Sequence, residues 1–263
     1  MFDAKLETEN IVNWIRDYYK NNKATGCVIG VSGGKDSAVV SALMCKALGP
    51  ENVVGLTLPC HSKDKDAAGA KIVAEKFGFE LINLDLTSTF DAFTANEYFT
   101  NVLKEDDAQK KFENSNINLK PRLRMAACYY MTALLSATRG GLWLTTANSN
   151  ACEKFVGYYT RGGDEIGDLF PLVNLTVPEV IKVGEYLDVP REVLYRAPDD
   201  GISGKTDEEK MGISYLDVHK IIRGEEGVSK ESYDKIMAKH KANLFKLTKP
   251  NVKPLTVSSC VED

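Results

Sequence analysis

Apolar positions along the chain fall first at helical spacing and then in short unbroken runs. Leu6, Ile11, Trp14, Ile15 and Tyr18 recur at the interval that lines one face of a helix, so residues 4–20 predict an amphipathic opening helix. The stretch GCVIGV at 26–31 is apolar, β-branched and closed by glycine, which predicts a buried strand. SAVVSALMCKALG then returns to helical spacing and meets a Gly49-Pro50 stop. NVVGLTLP reads as a second buried strand, DKDAAGAKIVAEKFG as a helix ending at Gly78, and FELINLDL as a third strand. The alternation is βαβαβ. It implies a parallel sheet with right-handed crossovers, and ligands are expected beyond the carboxyl ends of its strands.

The pattern lapses over residues 100–120, where Asn and charge replace the apolar positions and a mobile connection or exposed helix is expected. PRLRMAACYYMTALLSATRGG restores a helix that should begin at Pro121 and stop at Gly140-Gly141, and LWLTTAN supplies a fourth strand. A segment dense in Gly and acids follows, then helices around 176–187 and 213–223, separated by the long polar loop YRAPDDGISGKTDEEKMG, of a kind that often orders over a ligand. A last helix is predicted over 229–243, with a loosely packed tail after Pro250. The expected fold class is α/β: a doubly wound, mainly parallel sheet flanked by helices, in a single domain over residues 1–263.

Composition narrows the function. A chain of 263 residues, 43% hydrophobic and 27% charged, can bury a full core. No stretch of 18 apolar residues occurs and the N-terminus alternates charge with hydrophobes, so neither a membrane span nor a secretory signal is expected, and the cytoplasm is the expected compartment. Cys27, Cys45, Cys60, Cys128, Cys152 and Cys260 form no CxxC pair, which argues for free thiols rather than zinc or a disulfide framework. The net charge of −4 disfavours nucleic acid as a partner, since that binding needs a basic field. An anionic ligand must therefore meet local cations.

The candidate anion site is GVSGGKDSA at 30–38. A strand, a Gly-rich loop and a helix place unpaired N–H groups and the helix dipole against a phosphate. The Walker pattern fails, because it needs Gly at position 29 and Ser or Thr at 36, where Ile29 and Asp36 stand. The dinucleotide fingerprint fails too, since Gly30 is followed two positions later by Ser32. What remains is S-G-G-x-D-S.

Ser32-Gly33-Gly34-Lys35-Asp36-Ser37 resembles the pyrophosphate loop of the adenine-nucleotide alpha-hydrolase group, enzymes that cleave ATP to AMP and pyrophosphate. Within that group the chain resembles ammonia-dependent NAD synthetase over nearly its whole length. PRLRM is similar to the family's K-x-R-x-R-M helix start. NSNACEKFVGYYTRGGDEIGD is similar to its T-G-N-x-S-E…G-Y-x-T-K-x-G-D…D segment, GKTDEEKMGISY to its D-E…L-G-x-x-Y segment, and HK at 240–241 to its late His-Lys pair. Singly, each piece has an ordinary structural explanation as a turn, a cap or a solvated charge. Four in order are far more specific than one loop.

The resemblance implies that the nicotinate carboxylate of deamido-NAD attacks the α-phosphorus of ATP, and that ammonia then displaces AMP. Magnesium is the implied cofactor and ATP the co-substrate, with Asp36 and Glu153 matching the metal and catalytic positions. The ATP-contacting set is Gly30, Val31, Ser32, Gly33, Gly34, Lys35, Asp36, Ser37 and Asn148, with Lys205 a further candidate on charge alone. Arg122, Arg161, Asp168, His240 and Lys241 match positions that contact deamido-NAD, and a homodimer is implied, with the helix at 121–138 as interface material. Four positions depart from the family pattern: Arg161 stands where many members have Lys, Asn148 for a Thr, Val177 for an ATP-contacting Lys, and Asp199 for a Thr or Ser. Free ammonia rather than glutamine is the expected nitrogen source, because the first 25 residues hold one helix and no second hydrolase domain. Two other readings fit the chain less well. A tRNA-thiolating enzyme or the synthetase subunit of GMP synthase is opposed by the lack of a catalytic cysteine pair or a basic surface, and an inactive nucleotide sensor by the presence of both Asp36 and Glu153.

Overall fold

The computed structural model describes residues 2–62, 64–102, 116–196 and 206–247. Four strands, β1 (Ala24–Gly30), β2 (Val53–Thr57), β3 (Glu80–Asn83) and β4 (Leu142–Thr146), form one parallel sheet in the order β3-β2-β1-β4. β1 pairs with β2 from Cys27 opposite Val53 onward, and with β4 through Val28 opposite Thr145. Every residue of β2 is buried, as expected for a strand covered on both faces.

The pleat sends alternate β1 side chains into separate cores. Cys27 and Ile29 join a cluster with α1 (Ala4–Asn22), α2 (Lys35–Leu48), α3 (Asp64–Phe77) and the later helix α8 (Val177–Tyr186), in which Ile15, Val39, Leu43, Met44 and Val183 are fully buried. Val28 faces the opposite cluster with Leu56, Phe90 of α4 (Thr87–Thr94) and Leu135 of α6 (Leu119–Arg139). Each fully buried aliphatic side chain of this kind contributes roughly 1.5–3 kcal/mol. The sheet is therefore doubly wound, as expected. A short helix, α5 (Glu97–Val102), lies between α4 and α6 in the chain.

A third cluster builds a smaller helical layer beside the sheet. It joins Cys152 and Val156 of α7 (Ala151–Val156), Met211 of α10 (Asp207–Met211), Tyr215 and Val218 of α11 (Tyr215–Arg223), and Ile236 of α12 (Lys230–Ala242). The short helices α9 (Arg191–Leu194) and α13 (Leu244–Leu247) and a 3-10 turn at Pro50–Asn52 complete the described elements. Beneath this layer, Arg223 donates to Glu179 at 2.6 Å, and the same carboxylate accepts from the Thr176 N–H at 2.8 Å, closing the capping box of α8.

Some boundaries differ from those expected. α6 begins at Leu119 rather than Pro121, because a proline inside the first turn removes only an N–H that has no intrahelical partner there. The helix over Thr87–Thr94 was not foreseen, being short and burying only Phe90. The tail after Pro250, most of 100–120, and Asp199 and Lys205 in the polar loop lie outside the described residues.

Candidate active site

The loop between β1 and α2 sits at the carboxyl end of the central strand. The Val31 N–H still donates to Leu56 O at 2.8 Å; after that the chain leaves the sheet, and Gly33 takes φ of +75°, a conformation that strains any side-chain-bearing residue. Two hydroxyls tie the loop to itself. Ser37 Oγ accepts from the Ser32 N–H at 3.2 Å and lies 3.1 Å from Ser32 Oγ, which accepts from the Gly34 N–H at 3.3 Å. Gly34 caps α2 without a side chain, so the first turn keeps its positive end toward the loop.

Two supports come from far along the chain. A Cβ on Gly69 of α3 would lie 2.7 Å from the Gly33 carbonyl oxygen, so only a glycine lets α3 pack this close. The same carbonyl accepts from Arg196 Nη1 at 3.2 Å. Asn148 donates its amide to Gly30 O at 2.8 Å, fixing the end of β4 to the start of the loop.

Asn150 links Asp36 to Glu153. Asn150 is fully buried; its Oδ1 accepts from the N–H groups of Cys152 at 2.9 Å and Glu153 at 3.1 Å, while its Nδ2 donates to Asp36 Oδ1 at 3.1 Å. Glu153 Oε2 in turn accepts from the Asn150 N–H at 3.2 Å, completing a capping box on α7. The other Asp36 oxygen, Oδ2, accepts from Lys35 Nζ at 2.8 Å. Burial and the neighbouring Asp36 charge push the Glu153 carboxyl up to about 8, against the opposing pull of Lys35. Ionising Glu153 as well would set two carboxylate charges beside the Lys35 ammonium.

The residues matched to deamido-NAD have other partners. Arg122, exposed near the start of α6, donates through Nε and Nη2 to Arg161 O at 3.2 Å each, and Arg161 Nη1 donates to Phe245 O at 3.1 Å. His240 stacks on Phe155 at 4.3 Å between ring centroids, and its Nδ1–H donates to Phe155 O at 2.7 Å, which leaves Nε2 as the acceptor in the neutral ring. Lys241 beside it is exposed. Asp168 turns to the sheet: Oδ2 accepts from the Thr145 N–H at 2.7 Å and Oδ1 from the Tyr129 hydroxyl at 3.4 Å. Val177 is buried in the third cluster, and its N–H donates to Cys152 Sγ at 3.4 Å, so the position where the family places a lysine is apolar packing here.

Sequence reasoning missed Asn150, Arg196, Gly69 and Arg124, whose guanidinium donates to Leu58 O at 3.0 Å and Ser62 Oγ at 3.3 Å. For Arg124 a signal existed. It stands two residues from Arg122 on one helix, hence on a different face.

Residues 7–250 match the family model described as NAD synthase. The chain is 35% identical to the NH(3)-dependent NAD(+) synthetase of Carboxydothermus hydrogenoformans over 221 residues, 83% of this chain and 86% of that one. Among solved structures, the NMN synthetase from Francisella tularensis superposes with a TM-score of 0.81 at 32% identity, covering 97% of this chain and 99% of the other. The NH3-dependent NAD synthetase from Campylobacter jejuni does so with a TM-score of 0.72 at 25% identity, covering 97% and 100%. With the S-G-G-x-D-S loop, its two carboxylates and near-complete coverage in both directions, the chain belongs to the family of ammonia-dependent NAD synthetases, enzymes that use ATP and ammonia to convert deamido-NAD to NAD.

Proposed function

We propose that the loop at 30–37 holds the ATP phosphates, that Asp36 and Glu153 hold Mg2+, and that Arg122, Arg161, His240 and Lys241 serve the acid substrate. The convergence of Asp36 and Glu153 beside the loop carries this reading. Two carboxylates with a deficit of positive charge suit a cation that binds through one or two carboxylates plus substrate phosphates. When bound, Mg2+ supplies neutralisation of the triphosphate charge that grows as pyrophosphate departs.

The chain's own residues supply position and charge. The first turn of α2 and the Ser32 and Ser37 hydroxyls face the phosphates, and Asn148 and Asn150 keep β4 and α7 in register with the loop. The nicotinate carboxylate oxygen attacks the α-phosphorus as the bond to pyrophosphate breaks. Ammonia then attacks the acyl carbon, AMP leaves with the carboxylate oxygen, and the nitrogen sheds its proton. No general base is needed for the first step, because the nucleophile is already an anion. Asp168 orders the end of β4 and the segment after it, consistent with its bond to the Thr145 N–H.

A second acceptor is favoured by two observations. Arg122 and Arg161, matched to deamido-NAD, are engaged with main-chain carbonyls, and an NMN synthetase superposes with the TM-score of 0.81 given above. Nicotinate mononucleotide is therefore a further substrate for this chain. The test measures AMP and pyrophosphate release with ATP and ammonium, with deamido-NAD or nicotinate mononucleotide as acceptor. Release with neither acceptor refutes the proposed ligase chemistry, and a deamido-NAD preference above a thousandfold refutes the second reading. Glutamine in place of ammonium should give no product; equal rates with the two would refute the ammonia assignment.

The proposed assembly is a homodimer built on α6, whose Tyr130 and Leu134 are 68% and 41% exposed one helical turn apart. The proposed compartment is the cytoplasm; no helix among the described residues is long and apolar enough to cross a membrane.

A further inference from the structure

Lys35 sits on the first turn of α2 yet turns back into the site. Its side chain is 7% exposed, and Nζ lies 2.8 Å from Oδ2 of Asp36, itself 18% exposed. Adjacent residues on a helix do not face one another, so this pair exists only because both side chains bend toward one point. The ammonium also lies 5.8 Å from the centre of the Tyr215 ring on α11. A buried ammonium is tolerated only with a counter-charge, and breaking such a pair by removing one partner leaves an uncompensated charge. Asp36 is also the residue that Asn150 ties to the Glu153 cap.

We propose that Lys35 is the resident counter-ion of the Asp36 and Glu153 carboxylates and competes with the divalent cation for Asp36. This rests on the reading of those two carboxylates as metal ligands. Before substrate arrives, the ammonium balances the Asp36 charge and lies ready to offset that of Glu153 when it ionises. A metal ion approaching Asp36 Oδ2 meets a positive charge already bonded there, so the empty site takes metal weakly. Once a triphosphate lies in the loop, the ammonium has a second anion within reach of the first turn of α2, and Asp36 is released to the metal. Nucleotide and metal then bind with positive coupling, and by linkage each strengthens the other equally.

The test uses the full chain, Mn2+ as the probe, and the variants Lys35→Met, Lys35→Arg and Asp36→Asn. Free Mn2+ is followed by electron paramagnetic resonance with and without a non-hydrolysable ATP analogue, and thermal midpoints are recorded in chelator and in a Mg2+ titration. For Lys35→Met the expected result is about tenfold tighter Mn2+ without nucleotide, the size of one charge interaction at such a site. Its nucleotide-induced gain in Mn2+ affinity should shrink, and its midpoint should fall in chelator and recover with Mg2+. Lys35→Arg should keep the parent's midpoint in chelator. Unchanged Mn2+ affinity in Lys35→Met, Lys35→Arg behaving like Lys35→Met, or a Lys35→Met chain that Mg2+ does not restore to folding would each overturn the proposal. Asp36→Asn separates the two levels. If it leaves Mn2+ binding intact, the metal reading fails and takes this proposal with it; if it abolishes binding while Lys35→Met changes nothing, only the Lys35 role fails.

Discussion

Glu153→Gln should have opposite effects on stability and on turnover. The amide keeps the side chain's shape and an oxygen that can accept from the Asn150 N–H, so the α7 cap persists. What it loses is ionisation. The carboxyl rises from its ordinary 4.5 to about 8 in the folded chain, burial first and the Asp36 charge second. Below pH 4.5 the folded and unfolded forms are both protonated and the group is neutral toward stability. As pH rises toward 8, the unfolded carboxyl releases its proton while the folded one keeps it, so stability drains away across that window. The gap between 4.5 and about 8 corresponds to roughly 5 kcal/mol at full strength. Relaxation of the site around the charge lowers this, and a remaining difference of about 2–3 kcal/mol corresponds to roughly 5–10 °C for a chain of this length. Glutamine has no such slope. In chelator, thermal midpoints of the variant and parent should coincide at pH 4.5 and separate by roughly that amount at pH 8, the variant being higher. With Mg2+, ATP and deamido-NAD, turnover should fall about a hundredfold, the effect of losing a contact worth roughly 3 kcal/mol at the transition state. Midpoints that track one another from pH 4.5 to 8, or a variant less stable at pH 8, would refute the account of Glu153 as an acid held against its charge.

Arg122→Ala should raise the KM for deamido-NAD about tenfold or more and leave that for ATP nearly unchanged, the effect of one charge-assisted contact; steady-state kinetics with each substrate varied in turn checks this. Asp168→Ala should cost about 1–3 kcal/mol by orphaning the Thr145 N–H, and Asp168→Asn should restore most of it, both read by denaturant unfolding. Gly69→Ala should weaken ATP binding with little change in the KM for deamido-NAD, because its Cβ would press on the Gly33 carbonyl from 2.7 Å; equal shifts in both constants would count against a local effect on the loop.

The strands were legible because the central ones are buried on both faces and therefore read as unbroken apolar runs. β3 is an edge strand, exposed at Glu80 and Asn83 and half-buried between them, and it is shorter than the stretch FELINLDL suggests. The turn at 30–37 was legible because a strand, paired glycines and a helix start follow one another over a few consecutive positions. Gly69 and Arg196 were not: each meets the Gly33 carbonyl across a long sequence gap, and neither a helical glycine nor a loop arginine signals its partner. Val177 shows the reverse case, in which the family pattern expects a cation and the third cluster supplies an apolar neighbour instead.

The Asn150-to-Glu153 stretch joins both kinds of information. From sequence alone, Asn followed three residues later by Glu is a helix-capping signature, a sufficient structural reason for both residues. In the folded chain the cap is real, and yet the asparagine that accepts from the Cys152 and Glu153 N–H groups also donates to Asp36. One side chain thus sets the start of α7, the position of Glu153 and the orientation of the carboxylate on the phosphate loop. The capping explanation and the proposed role at the metal do not compete. The cap is the device by which a six-residue helix, tied at its first N–H to Leu175 O at 2.8 Å, presents an acid to a site built on a different part of the sheet.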